Sequence, residues 1–126
     1  MELNELMLDV FKLESKLFRK TDSYRFIEQK CSKKCLTSGE RKLLHSEIHD
    51  SFERLIKTIK EACPSLTDED VTFCCLEKSC LDSLIIGHCM GDVNKQPVNQ
   101  RKYRIKKKMK EAGCDYLFDV IFSCHS

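Results

Sequence analysis

Apolar side chains recur at intervals of three and four residues along much of this chain, and this spacing constrains the fold more than any other feature. It is clearest in two runs: Leu3, Leu6, Val10, Leu13 and Leu17, and then Leu44, Ile48, Phe52, Leu55, Ile59 and Ala62. Such intervals place side chains on one face of an α-helix, whereas a half-buried strand alternates every second residue. The 126 residues include only 4 Gly and 2 Pro, and β-branched and aromatic runs are scarce. We therefore predict an all-α fold.

The same pattern sets the expected helix boundaries. Helices are predicted over residues 3–20, 24–34, 40–62, 68–78, 83–90 and 95–110, followed by a C-terminal helix. Two helix starts have the spacing of capping boxes: Thr37 with Glu40, and Thr67 with Asp70. Asn94 is the expected N-cap of the 95–110 helix, and Thr21, Asp22 and Ser23 are candidate N-caps of the 24–34 helix. In the 24–34 helix we expect Phe26, Ile27 and Cys31 to form the buried side.

Pro64 ends the 40–62 helix and marks the best domain boundary in the sequence. We predict a helical dimerisation or linker region over residues 1–63 and a helical domain over 64–126. The first apolar run has heptad spacing, but it covers only about two and a half heptads, which is short for a coiled coil. Two interpretations stay open: a helix packed on its own domain, or a coiled-coil-like helix that pairs with a second copy. Also open is whether the chain is one end of a larger regulatory protein.

Positive charge is concentrated between Lys95 and Lys110. Eight of these sixteen residues are basic and none is acidic: Lys95, Arg101, Lys102, Arg104, Lys106, Lys107, Lys108 and Lys110. The whole chain has 22 basic and 20 acidic residues, so the remainder carries a net charge of −6. A cationic segment on an otherwise acidic chain is the footprint expected of a protein that meets a polyanion. The alternative is a solvated basic face on a surface helix.

An apolar stripe runs through this basic segment. Val98, Ile105 and Met109 recur at i, i+7 and i+11 and predict one buried face, with amide, phenol and ammonium groups opposite. Two short helices precede the segment, and Gly91 provides a turn. This order predicts a helix-turn-helix, whose last helix enters the major groove of double-stranded DNA.

The residues of this unit resemble the LuxR/GerE-type helix-turn-helix domain, of the kind found at the C-terminus of Bacteroides-type regulatory proteins. The matching residues are Pro64, Leu66, Thr67, Cys74, Cys75, Leu76, Leu81, Ile86, Met90, Val93, Val98, Arg101 to Lys108, and Met109. The sequence departs from the family at Cys80, where Gly is usual, at Gly87, where Ala is usual, and between Met90 and Val98, where the chain is one residue longer. The resemblance implies an N-terminal helical, coiled-coil-like region followed by a LuxR-type, winged-helix-like bundle.

The resemblance also implies roles in a recognition helix that spans about Lys95 to Lys110. The positions expected to contact bases are Asn99, Gln100 and Tyr103. Those expected to contact phosphates are Lys95, Gln96, Arg104, Lys106 and Lys107. Such domains bind paired half-sites as dimers. The expected partners are therefore double-stranded DNA and a second copy of the chain, with dimer contacts before residue 63 and over 115–122.

Nine cysteines raise the question of disulfides and metals. Their number is odd, their spacing is irregular and no secretion signal opens the chain, so we predict reduced cysteines that mostly fill the core. Cys31 and Cys35, followed by His45 and His49, approach a zinc-finger pattern. The spacer between the pairs is too short for the usual finger. We predict no metal and no cofactor.

The remaining function classes have little support in the sequence. No nucleophile elbow, P-loop or dinucleotide fingerprint is present, so we predict no enzymatic activity. No apolar run reaches the ~20 residues of a membrane span, which favours a cytoplasmic protein. The predicted function is a DNA-binding transcription regulator that acts as a homodimer. The alternative is a helical protein–protein interaction module, a degenerate helix-turn-helix that binds an acidic partner.

Overall fold

The computed structural model describes residues 4–123, and these residues form eight α-helices and no strand. The helices are α1 (Glu5–Phe18), α2 (Asp22–Lys30), α3 (Ser38–Ser51), α4 (Glu53–Ala62), α5 (Asp68–Lys78), α6 (Ser83–Cys89), α7 (Gln96–Glu111) and α8 (Asp115–Phe122). The predicted all-α class is confirmed. None of these helices combines the length and the hydrophobicity needed to cross a bilayer.

Helix starts follow the capping residues of the sequence. Both predicted capping boxes are present, at the first residues of α3 and α5. Thr21, one of the predicted N-caps of α2, is confirmed, since its hydroxyl accepts a hydrogen bond from the Tyr24 N–H; the helix begins at Asp22, two residues before the predicted start. The predicted buried side of α2 is wrong at Phe26, which is exposed. Ile27 and Cys31 are buried, as predicted.

The predicted 40–62 helix is wrong in one respect: it is two helices, α3 and α4, separated at Phe52. Phe52 has φ −110° and ψ 40°, and its buried ring lies 5.5 Å from that of Phe18, between centroids. The Glu14 carboxylate of α1 accepts hydrogen bonds from the N–H groups of Arg54 and Leu55 at 2.8 and 3.0 Å. A carboxylate at this position satisfies the free donors of a helix N-terminus. Contacts with α1 therefore set the break.

α5 is the central helix of the fold. Every residue from Asp70 to Ser79 is buried, and α3, α4, α6 and α8 all pack against this helix. One hydrophobic core joins residues on both sides of Pro64, from Phe11 to Phe122. The predicted division of the chain at residues 63 and 64 stays a prediction.

α1 meets this core with a different face from its heptad stripe. Its buried side chains are Phe11, Ser15 and Phe18. The Ser15 hydroxyl donates a hydrogen bond to the Lys78 carbonyl oxygen at 2.9 Å. The exposed residues of the heptad stripe are Leu6, Leu13 and Leu17, while Leu3 lies outside the described residues. α1 is thus packed on its own domain, but it keeps its leucine stripe at the surface.

Candidate nucleic-acid interface

α7 carries the basic segment and packs by its apolar stripe. Val98, Ile105 and Met109 are buried, as predicted. Lys95 occupies the N-cap position in place of the predicted Asn94, whose side-chain oxygen accepts a hydrogen bond from the Gln96 N–H at 3.0 Å. The predicted cap is therefore displaced by one residue.

α6 and α7 approach each other closely at Gly87. A Cβ at this position would lie 3.2 Å from Val98 Cγ2 and 3.5 Å from the Asn94 carbonyl oxygen. The Asp92 N–H donates a hydrogen bond to the Gly87 carbonyl oxygen at 2.7 Å, and Gly91 in the turn has φ +86°. Gly87 lowers the helix propensity of α6, but its missing side chain lets the start of α7 lie directly against that helix.

The turn between α5 and α6 contains another departure from the LuxR-type pattern, at Cys80. Cys80 has φ +64°, which is the left-handed conformation that glycine adopts most readily. For a residue with a Cβ, this conformation costs roughly 1–2 kcal/mol. Cys80 is also disulfide-bonded, so the prediction of reduced cysteines is wrong at this position. The residue after α5 therefore has the left-handed conformation that glycine usually adopts there, although it is a cysteine.

The predicted base-contacting side chains all lie on the outside of α7. Asn99 and Gln100 are exposed, and Tyr103 is 72% exposed. Tyr103 borders a shallow hollow together with Lys106, Lys107, Lys110 and Glu111. The two amides and the phenol can therefore meet a partner without any change in how α7 packs.

Three cations of α7 turn inward and surround one carboxylate of α5. Asp70 has no exposed surface, and its Oδ1 lies 2.9 Å from Arg101 Nη1 and 3.0 Å from Arg104 Nη2. Its Oδ2 lies 3.9 Å from Lys108 Nζ and accepts a hydrogen bond from the Thr67 N–H at 3.2 Å. Burial acts to raise the pKa of this carboxyl, but hydrogen bonds from Thr67 and Arg104 outweigh it and the pKa is lowered. The ionised Asp70 thus fixes α7 against α5.

Arg104 therefore has a structural role in addition to its predicted contact with phosphate. Its side chain is 50% exposed, whereas that of Arg101 is 20% exposed. Arg101 also pairs with Glu69 at 3.6 Å, and its guanidinium carbon lies 6.0 Å from the Phe73 ring centroid. A guanidinium has five N–H donors, so Arg104 can bind Asp70 and still face a second acceptor. Its phosphate contact stays a prediction.

Two further lysines of α7 lie over aromatic rings of α8. Lys102 Nζ is 5.1 Å from the Phe122 ring centroid, and Lys106 Nζ is 5.5 Å from that of Phe118. A cation over a ring face is attracted to it. Burial raises the pKa of Glu77 on α5 to about 7, and the Lys102 charge opposes this shift. These two lysines therefore help to hold α7 against α5 and α8.

The remaining cations of the segment face outward. Lys95, Lys107 and Lys110 are exposed and make no ion pair with any residue between 4 and 123. All the predicted phosphate-contacting residues are exposed: Lys95, Gln96, Arg104, Lys106 and Lys107. The outer face of α7 is thus both cationic and accessible.

The cysteine and histidine pairs of the zinc-like pattern lie in different surroundings. The Cys89 thiol donates a hydrogen bond to Cys31 Sγ at 3.7 Å. His45 Nδ1 lies 3.1 Å from Thr72 Oγ1, and burial lowers the pKa of His45. Within residues 4–123, no three Cys, His, Asp or Glu side chains form a group that could hold a metal ion.

Sequence reasoning missed the role of Asp70 in positioning α7. The sequence identified Asp70 only as a capping residue, because its partners Arg101 and Arg104 lie 31 and 34 residues later. The signal that could have found this contact is charge complementarity, since the first turn of α5 consists of Asp68, Glu69 and Asp70. The helix dipole alone also favours acidic residues in a first turn, so the sequence pattern does not identify α7 as the partner.

Comparisons with known proteins place the chain in no family. No family model, no curated protein and no solved structure matches it. The geometry of α7 and the resemblance of its residues to the LuxR-type domain are therefore the indications of function that remain.

Proposed function

We propose that this protein is a DNA-binding transcription regulator that places α7 in the major groove of double-stranded DNA. The observation that carries the proposal is the division of α7 into two faces. Its inner face is fixed by the buried stripe and by Asp70. Its outer face presents Asn99, Gln100 and Tyr103. Asn and Gln can each make paired hydrogen bonds to an adenine edge, and a tyrosine hydroxyl can donate or accept one.

The exposed cations lie on both sides of these three residues along α7. Lys95 precedes them, and Lys106, Lys107 and Lys110 follow. α7 has 16 residues, so it is about 24 Å long, whereas the major groove is about 12 Å wide. Cations before and after the base-contacting patch can therefore approach the phosphates at the edges of the groove.

The attachment of α7 supports the same function. Its stripe is buried, and the ion pairs of Asp70 with Arg101 and Arg104 tie α7 to α5 before any partner arrives. A recognition helix that is already ordered loses less conformational entropy on binding. Among residues 4–123, the acidic groups in ion pairs with cations of α7 are Glu69 and Asp70 of α5, and Asp70 is fully buried on its inner side. We further propose that the protein binds paired half-sites as a homodimer.

Selection of bound duplexes from a random pool tests the proposal. The expected result is an enriched sequence motif repeated with two-fold symmetry. Gln100→Ala should relax the preference at one position of that motif, because one bidentate contact supplies about 1–3 kcal/mol of base discrimination. Lys107→Ala should weaken all duplexes alike and should reduce the log–log salt slope by about 1.

Lys33→Ala is the matched control, because Lys33 is exposed in the segment after α2. Its affinity for DNA should equal that of the unaltered chain at every salt concentration. If micromolar protein shifts no duplex at low salt, the proposal is overturned.

A protein–protein interaction module is the second candidate, and one observation favours it. Five of the eight cations of the basic segment already have partners inside the fold: Arg101, Arg104 and Lys108 at Asp70, and Lys102 and Lys106 at the rings of α8. Less positive charge is therefore available to a polyanion than the sequence suggests. For this candidate we expect an acidic protein surface to bind α7 while no duplex does.

A further inference from the structure

α1 presents a second apolar face to the solvent. Leu6, Leu13 and Leu17 are 72%, 54% and 54% exposed, and Val10 between them is half-buried. On a helical wheel these four side chains lie within about 60° of one another, on a strip about 130° from the buried aromatic face. Single exposed leucines are common on protein surfaces. A continuous strip over about three turns instead indicates a binding face.

The helix that carries this strip is firmly attached. Phe11 and Phe18 are fully buried, and the Ser15 hydroxyl is bonded to the Lys78 carbonyl oxygen of α5 at 2.9 Å. The Glu14 carboxylate is bonded to the first N–H groups of α4. The leucines therefore lie on an ordered surface of the domain.

Charge is divided unevenly along α1. Its first half contains Glu5 and Asp9, whereas its second half contains Lys12, Lys16 and Glu14, whose carboxylate is bonded to α4. Asp9 and Lys16 are seven residues apart, so they lie along the same edge of the leucine strip. Neither makes an ion pair within residues 4–123. One edge of the leucine strip thus carries an acidic residue near its start and a basic residue near its end.

Two copies of α1 that run in opposite directions would cover both strips. We infer that α1 docks in this antiparallel orientation on α1 of a second copy of the chain. Leu6 then lies opposite Leu17 of the other copy, and Val10 lies opposite Leu13. Both copies therefore use the same residues in the contact, as a two-fold dimer interface requires.

The charges select this orientation over the parallel one. In the antiparallel pair, Asp9 of each copy lies beside Lys16 of the other, and the symmetry forms this ion pair twice. In a parallel pair, Asp9 would instead lie beside Glu14 of the other copy, and the two carboxylates would repel each other. The placement of Asp9 and Lys16 along one edge of α1 therefore makes a second copy of the chain the complementary partner.

The strength of this contact follows from its size. α1 has 14 residues, so the paired helices share only about 21 Å of length. That is smaller than a standard stable interface, and the dimer should dissociate in the micromolar range. The inference does not depend on DNA binding, so each can fail without the other.

Sedimentation equilibrium of the full chain over a range of concentrations tests the inference. Asp9→Lys and Lys16→Asp should each weaken self-association by about 10-fold, because each turns two attractive pairs into two repulsive ones. The double variant Asp9→Lys/Lys16→Asp should recover the original affinity. A mixture of the two single variants should form a heterodimer, because each supplies the charge that the other lacks.

Leu13→Ser should also reduce self-association by at least 10-fold, with an unchanged helical circular dichroism spectrum because the side chain is exposed. Val93→Ser is the matched control, since Val93 is exposed in the turn before α7, and it should leave self-association unchanged. A chain that stays monomeric to millimolar concentration overturns the inference. A dimer that is insensitive to both charge reversals and to Leu13→Ser also overturns it, and so does one in which the double variant fails to recover.

Discussion

α1 and α7 each carry an apolar stripe at helical spacing, but the two stripes face in opposite directions. The stripe of α7 is buried against the domain, and its outer face is cationic. In α1 the leucine stripe is exposed, and Phe11 and Phe18 enter the core. The difference shows that periodicity predicts orientation when a helix has one apolar face, as α7 does. α1 has two apolar faces, and periodicity alone cannot choose between them.

Side-chain size explains the choice in α1. Phenylalanine buries more apolar area than leucine, so the aromatic face gains more from the core. Phe18 lies between two other rings, with centroid distances of 5.7 Å to Tyr24 and 5.5 Å to Phe52. The leucine stripe is then left for a partner, although its heptad spacing is the clearest pattern in that part of the sequence.

The largest predicted effects come from the inward faces of the two helices. Phe11→Ala should lower the free energy of unfolding by about 4 kcal/mol, and Ile105→Ala should lower it by about 3 kcal/mol, because both side chains are fully buried and their loss leaves cavities. Urea unfolding followed by circular dichroism measures both changes. A loss below 1 kcal/mol for Phe11→Ala would mean that the aromatic face of α1 is not its core face.

The ion pairs between Asp70 of α5 and the cations of α7 should make the next largest contribution to stability. Asp70→Asn should lower the free energy of unfolding at pH 7 by about 2 kcal/mol. Breaking a buried ion pair costs more than this, but the half-exposed Arg104 can regain water. The pKa of Asp70 is lowered from 3.8, so its contribution is present above that pH and is lost as the pH falls below it. The free energies of unfolding of the unaltered protein and of the Asp70→Asn variant should therefore approach each other as the pH falls below 3.8.

A control for this prediction is Asp68→Asn, because Asp68 is exposed in the same turn of α5. It should change the free energy of unfolding by less than about 0.5 kcal/mol. Equal losses from the two substitutions would show that the acidic turn acts through the helix dipole, without a specific contact between α5 and α7.

Glu77, on the same buried helix, should give a smaller effect of opposite sign. Burial raises its pKa from 4.5 to about 7. The folded protein therefore holds this proton more tightly than the unfolded chain, and stability falls as the pH rises through the range 4.5 to 7. Glu77→Gln removes the buried charge and should raise the free energy of unfolding at pH 8 by about 1–2 kcal/mol. The gain should disappear near pH 4.5, and urea unfolding at both pH values measures it.

Local features of the fold could be predicted from the sequence, whereas contacts between distant segments could not. The capping boxes at Thr37 and Thr67 and the burial of the α7 stripe depend on neighbouring residues, and both are confirmed. The break at Phe52 depends on Glu14, which lies 40 residues before Arg54. The orientation of α1 depends on which of its two apolar faces the rest of the core accepts.

The same limit applies to the candidate site. The sequence identifies α7 as cationic and places Asn99, Gln100 and Tyr103 on its outer side, where the structure has them. It does not separate the cations that hold the helix from those that are available to a partner. Arg101 and Lys107 look alike in sequence, but only Arg101 has Asp70 beside it. Counting the basic residues of the segment therefore overestimates the positive charge that is available to a polyanion.

The smallest predicted effects come from the outward faces of the two helices. Leu13→Ala and Lys107→Ala should each change the free energy of unfolding by less than about 0.5 kcal/mol, because both side chains are exposed. The measurement requires dilute protein, since self-association through α1 would add to the apparent stability. At higher concentration the two variants should separate: Leu13→Ala should lose the added stability, and Lys107→Ala should keep it. If Leu13→Ala loses more than 1 kcal/mol in dilute protein, the leucine stripe contributes to the monomer fold, and the contrast between the two helices is wrong.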